Sequence, residues 1–170
     1  MATLVLANQY PWGDRGEGTE AVSLRAWLRE GWAVLFSHPL DFVRCDFEMD
    51  RWLAVIQGAF RGTRVRPLAL ARGGAASTAS WIAAVSADLR RAILCAPSPG
   101  RDLPAQRLHA AIASLAAGRF VMVIDESLGS RRTFVYDTLD QVPSPLEFLG
   151  WADAARARGE GVRTGRMRTA

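Results

Sequence analysis

Residues 31–48 read GWAVLFSHPLDFVRCDFE, and the order of events in this stretch decides the fold. Trp32-Ala33-Val34-Leu35-Phe36 is short, wholly apolar and aromatic at both ends, the signature of a strand buried on both faces. Ser37-His38-Pro39 breaks it, because proline carries no N–H for a ladder and restrains the residue before it. The chain turns through Leu40-Asp41-Phe42 and delivers Cys45 to the start of a helix. A thiol at the first turn of a helix, beyond the carboxyl end of a buried strand, lies where α/β folds place reactive groups.

Around this centre the periodicities alternate. Upstream, Thr3–Leu6 and Ala21–Leu24 read as short strands among turn-rich segments, and Arg25–Glu30 as one or two helical turns ended by Gly31. Downstream, Phe47, Met49, Trp52, Leu53, Val55, Ile56 and Phe60 follow helical spacing, so a helix is expected over 46–60. Asp46, Glu48 and Asp50 would complement its positive end. A strand follows at 64–70, then a helix after Ser77 or Thr78 through Val85. Ala92–Cys95 is a short strand that Pro97 terminates. The Ala-rich run 103–117 is a helix with Leu108, Ala111, Ile112 and Leu115 on one face, and Gly118 closes it. Residues 119–125 form a strand, Ser127–Ser130 a hairpin turn, 131–136 its antiparallel partner and 143–157 a final helix. Strands alternating with helices, then a hairpin before a last helix, specify an α/β sandwich: a central mixed β-sheet flanked by helices.

Composition bounds the rest. With 170 residues, 49% of them apolar, the chain has enough apolar side chains for one sizeable core, and residues 1–155 read as a single domain. All 21 basic residues are Arg. Arg156, Arg158, Arg163, Arg166 and Arg168 crowd residues 156–170, which read as a mobile, solvated tail in preference to a nucleic-acid-binding one. No uninterrupted apolar run of 18 residues occurs, so no membrane span is expected. The first residues lack the basic region of a secretory signal, so a cytoplasmic location is expected. Cys45 and Cys95, with the distant His38 and His109, give no zinc-ligand spacing, and Gly73-Gly74 lacks the pattern of a phosphate loop. Neither metal nor cofactor is expected. Cys95 ends an apolar run and reads as a small buried thiol, and His109 as an exposed helix residue.

The central stretch resembles the active-site segment of the peroxiredoxins, most closely the one-cysteine type. In that family an apolar strand leads into Phe-Ser-His-Pro or Phe-Tyr-Pro, then x-Asp-Phe-Thr-x-Val-Cys-x-x-Glu. Here WAVLF is followed by Ser37-His38-Pro39-Leu40-Asp41-Phe42, and Cys45 has Glu48 three residues on. Weaker similarity extends to Thr19–Arg29, Phe60–Leu70, Ser80-Trp81-Ile82 and GRFVMVID at 118–125. The resemblance implies a thioredoxin-like fold and reduction of hydroperoxides by a cysteine thiolate, with a thiol as reductant and a homodimer as the assembly. By position, Cys45 would be the peroxidatic residue, Pro39 would shield it, His38 would line its pocket, Glu48 would position groups and Arg119 would favour thiolate and peroxide. Two positions depart from the pattern. Pro39 and Cys45 are six residues apart where the family has seven, and Val43 stands where the family has the Thr or Ser hydroxyl that hydrogen-bonds the peroxide. They leave a second reading open: a catalytically degenerate relative that serves as a binding, assembly or chaperone module.

Overall fold

A computed structural model of the chain describes residues 3–6, 21–23, 28, 31–45, 48–70, 94–97, 103–115 and 118–158. Its strands are β1 (Thr3–Leu6), β2 (Ala21–Ser23), β3 (Trp32–Phe36), β4 (Val65–Leu70), β5 (Leu94–Pro97), β6 (Arg119–Ile124) and β7 (Ser130–Tyr136). Its helices are α1 (Met49–Phe60), α2 (Leu103–Leu115) and α3 (Pro145–Arg158), with 3-10 turns at Pro39–Phe42 and Leu139–Gln141. The helix expected after Ser77 and the helical turns expected at 25–30 fall in segments outside the described residues, Leu28 excepted.

The strands form one mixed sheet in the order β2-β1-β5-β4-β3-β6-β7. β3 runs parallel to β4 and antiparallel to β6, and is buried at every position. β4 carries Pro67 opposite Val34, and its described pairing with β5 is at Ala69 and Leu70. β5 includes Pro97, which the sequence reading places just after the strand, at its last position opposite Leu4; Ala92 and Ile93 lie outside the described residues.

Strand alternation divides the core between the two faces of the sheet. Ala33 and Leu35 of β3 join Phe120, Met122 and Ile124 of β6 and Leu108 and Ile112 of α2 on one face. Trp32, Val34 and Phe36 join Val121 and Val123 and the α3 residues Phe148, Ala152 and Ala155 on the other. The buried positions of α1 are Met49, Leu53, Ile56 and Phe60, a stripe at helical spacing that Gly62, at φ 74°, closes in the left-handed conformation glycine favours. Gly31 is also required: a Cβ there would lie 2.8 Å from the Leu28 carbonyl oxygen and 3.0 Å from that of Arg64.

α3 begins at Pro145, preceded by Ser144, whose amide and hydroxyl donate to Glu147 Oε1 at 3.3 Å each. It continues to Arg158, so Arg156 and Arg158 of the basic run are helical, and Arg156 pairs with Asp153 at 3.2 Å. Residues 159–170 lie outside the described residues. Among the described residues no helix is long and apolar enough to cross a membrane, and no group of three or more His, Cys, Asp or Glu could hold a metal ion.

Candidate active site

The chain leaves β3 under tight control. Ser37 extends the β3–β6 ladder by one rung through its own side chain: its amide donates to the Phe120 carbonyl at 2.9 Å, and the Phe120 amide donates to Ser37 Oγ at 3.2 Å. His38 is buried, 6% exposed, and its Nδ1 accepts from the Leu40 amide at 3.2 Å. It therefore caps the 3-10 turn, with Pro39 at the first position, where a missing N–H costs nothing. The Asp41 amide closes the turn on the His38 carbonyl at 2.8 Å.

Phe42 then anchors the turn. Its ring stacks on Trp52 of α1, centroids 5.1 Å apart and planes 12° apart, and meets Phe36 of β3 edge-on at 5.6 Å. Val43 is buried in the core on the α2 face of the sheet. Arg44 and Cys45 emerge, and Cys45 is an exposed free thiol. The Cys45 carbonyl accepts from the Glu48 amide at 3.0 Å, and Glu48 Oε2 accepts from the Arg44 amide at 2.8 Å. The thiol thus lies in a bend four residues before Met49, where α1 starts, and residues 46 and 47 between them lie outside the described residues. Glu48 stands at the N-cap of α1 but makes no side-chain cap bond, because its carboxylate is turned back to the Arg44 amide.

Arg119, at the start of β6, reaches this segment with its side chain. Nε donates to the Asp41 carbonyl and Nη1 to the Asp137 carbonyl at 3.2 Å, so the guanidinium ties the 3-10 turn to the exit of β7. Arg44 Nη2 lies 3.7 Å from Asp140 Oδ1. Both groups are solvated there, and such a pair is worth about 0–1 kcal/mol. The other four candidate site residues therefore have distinct local partners. His38 and Pro39 build the turn, Glu48 builds the bend, and Arg119 holds the turn's backbone. Cys95 lies in β5, with Leu6 and Leu70 as register partners; its side chain is outside the described residues. His109 is half-buried on α2, in place of the exposed position expected.

Two supporting residues escape the sequence reading. Ser37 looks like loop punctuation, and no local pattern marks its hydroxyl as a ladder partner. Asp125, the residue after β6, is fully buried. Its Oδ1 accepts from the Ser127 amide at 2.9 Å, the Ser127 hydroxyl at 2.7 Å and the Gly129 amide at 2.7 Å, while its Oδ2 pairs with Arg131. The pattern Asp-x-Ser-x-Gly after an apolar strand is the signal that would have found it.

No protein-family model matches the sequence and no curated protein matches it. Solved structures do match, and those compared are peroxiredoxins. AhpC of Mycobacterium tuberculosis is 15% identical with a TM-score of 0.59, over 94% of this chain and 89% of that one. The mitochondrial 2-Cys peroxiredoxin of Plasmodium falciparum is 18% identical with a TM-score of 0.56, over 95% and 94%. A yeast mitochondrial 1-Cys peroxiredoxin is 20% identical with a TM-score of 0.54, over 82% and 70%. At these identities the likeness establishes the fold. The chain has the thioredoxin-type fold in the form peroxiredoxins have, over 94–95% of its length in two of these matches.

Proposed function

We propose that this chain is a peroxiredoxin-like thiol peroxidase that reduces hydroperoxides through Cys45. The observation that carries the reading is an exposed free thiol on a built bend beyond the carboxyl end of β3, in a fold shared with peroxiredoxins. The chemistry balances on one sulfur. The Cys45 thiolate attacks the terminal oxygen of the hydroperoxide and an S–O bond forms. The O–O bond breaks, and the departing alkoxide takes a proton and leaves as the alcohol. Sulfur is oxidised to the sulfenic acid and the peroxide is reduced. A thiol then condenses with the sulfenic acid, releasing water and leaving a mixed disulfide, and a second thiol restores Cys45. In this reading His38 and Pro39 shape the wall of the bend, Glu48 fixes its backbone, and two copies of the chain associate as a homodimer in the cytoplasm.

Sulfenic-acid trapping tests it. The wild-type protein treated with equimolar hydrogen peroxide and dimedone should gain one adduct on Cys45, and Cys45→Ser should lose both the adduct and peroxide consumption. A wild-type protein that stays unlabelled, or a Cys45→Ser variant that consumes peroxide at the same rate, overturns the proposal. One observation favours the second reading, a binding or assembly module without catalysis. Val43 is packed in the core and has no hydroxyl to offer the peroxide. In that case peroxide leaves Cys45 unmodified, and a defined partner is retained by Cys45→Ser.

A further inference from the structure

We infer that Arg119 is a positioning residue for Cys45, acting through the two backbone carbonyls it holds and not through its charge. This rests on the thiol-peroxidase reading and replaces the electrostatic role that the family resemblance implies for Arg119.

The geometry is specific. Nε donates to the Asp41 carbonyl, in the turn that leads to Cys45, and Nη1 donates to the Asp137 carbonyl at 3.2 Å. Asp137 is itself held, since its amide donates to Gln141 Oε1 at 3.0 Å beside the Leu139–Gln141 turn. The clamp thus joins the thiol-bearing segment to a closed turn on the far side of the β6–β7 hairpin. Its base is equally fixed, because the next residue, Phe120, exchanges two hydrogen bonds with Ser37. Residues 119 and 120 therefore grip the segment at both ends, at Ser37 and at Asp41, and Cys45 follows four residues after the second grip.

Only a planar fork with donors in fixed directions can span two carbonyls in this way. A lysine ammonium carries the same charge as a single point and cannot reproduce the clamp. Orientation governs rate as strongly as charge does, and a displacement of about 1 Å at a reacting group costs on the order of 100-fold.

Arg119→Lys and Arg119→Met separate the two roles. Positioning predicts that both variants slow peroxide-dependent sulfenylation of Cys45 by similar factors, roughly 10- to 100-fold. It also predicts that amide hydrogen exchange across Asp41–Cys45 accelerates in both, while the pH midpoint of iodoacetamide alkylation of Cys45 stays at the wild-type value. If Arg119→Lys keeps the wild-type rate, or the alkylation midpoint rises in Arg119→Met and not in Arg119→Lys, charge is what matters and the inference is overturned. Unchanged exchange in both variants overturns it as well. If Arg119→Met does not fold, Arg119→Lys carries the comparison alone through its rate and its exchange. A wild-type protein that is never sulfenylated, with exchange still accelerated in the variants, would remove the peroxidase reading and leave the clamp standing.

Discussion

Tyr136, the last residue of β7, lies opposite Arg119 in the hairpin register and carries its hydroxyl to a buried position with no hydrogen-bond partner among the described residues. Burial pushes the phenol well above its ordinary value of 10.0, and the negative charge of Glu147 adds to the effect, partly offset by Arg132. The consequence for stability has a definite sign. The folded state holds the phenolic proton more tightly than the unfolded state does. The stability this contributes is complete below about pH 10, where the unfolded tyrosine titrates, and is lost as the pH rises from there through the folded value. Tyr136→Phe removes both the titration and a buried hydroxyl that no described residue bonds. Its urea midpoint at pH 7 should equal or exceed that of the wild type, and its stability should fall less steeply above pH 10. A loss of about 1 kcal/mol at neutral pH, the worth of a typical hydrogen bond, would mean that the hydroxyl is bonded after all.

The β6–β7 hairpin shows which parts of an element the sequence discloses. Its first strand is legible from the apolar run Phe120–Ile124, as β3 is from Trp32–Phe36, because five consecutive buried apolar residues admit little else. The turn between β6 and β7 is less legible. Sequence pattern places it at Ser127–Ser130, and the residue there with positive φ is Leu128, at 67°, not Gly129. The backbone is held there by the carboxylate of Asp125, which takes the amides of Ser127 and Gly129, and by burial of the Leu128 side chain in the core. Burying a leucine is worth about 1.5–3 kcal/mol, more than the roughly 1–2 kcal/mol of left-handed strain, so packing wins over local preference. The candidate site divides in the same way. Cys45, Pro39 and the Glu48 spacing are local and visible in the sequence. The grip of Arg119 on Asp41 and Asp137 joins residues 78 and 18 positions apart and depends on strand order, which no local pattern encodes. Asp125→Ala tests the account of the turn. It removes one partner of a buried ion pair and should cost about 3–5 kcal/mol, read as a lowered urea midpoint. A cost below 1 kcal/mol would mean that Leu128 packing holds the turn without the carboxylate.

Across the whole molecule, one ring joins the layers that position the site. Phe36 ends β3 and meets Phe42 of the 3-10 turn, Trp52 and Phe60 of α1, and Phe148 of α3, each edge-on at 5.3–6.5 Å between centroids. Sheet, turn and both helices on that face therefore share a single contact centre, and the turn that leads to Cys45 is part of it. This explains how an exposed thiol can sit on a defined bend: Phe42 and Val43 are buried on opposite faces of the core, and the chain emerges only after them, at Arg44 and Cys45. Truncation to Phe36→Ala should cost about 3–5 kcal/mol, because the surrounding rings cannot all collapse into the space. That is a large share of the roughly 5–15 kcal/mol by which a domain is stable. Coupling predicts more than a lowered midpoint. Tryptophan fluorescence and far-UV circular dichroism should shift together, and iodoacetamide should alkylate Cys45 at a changed rate in conditions where the variant is still fully folded. A variant with the expected stability loss and a wild-type alkylation rate would show that the bend is held by Arg119 and Glu48 alone, without the aromatic centre beneath it.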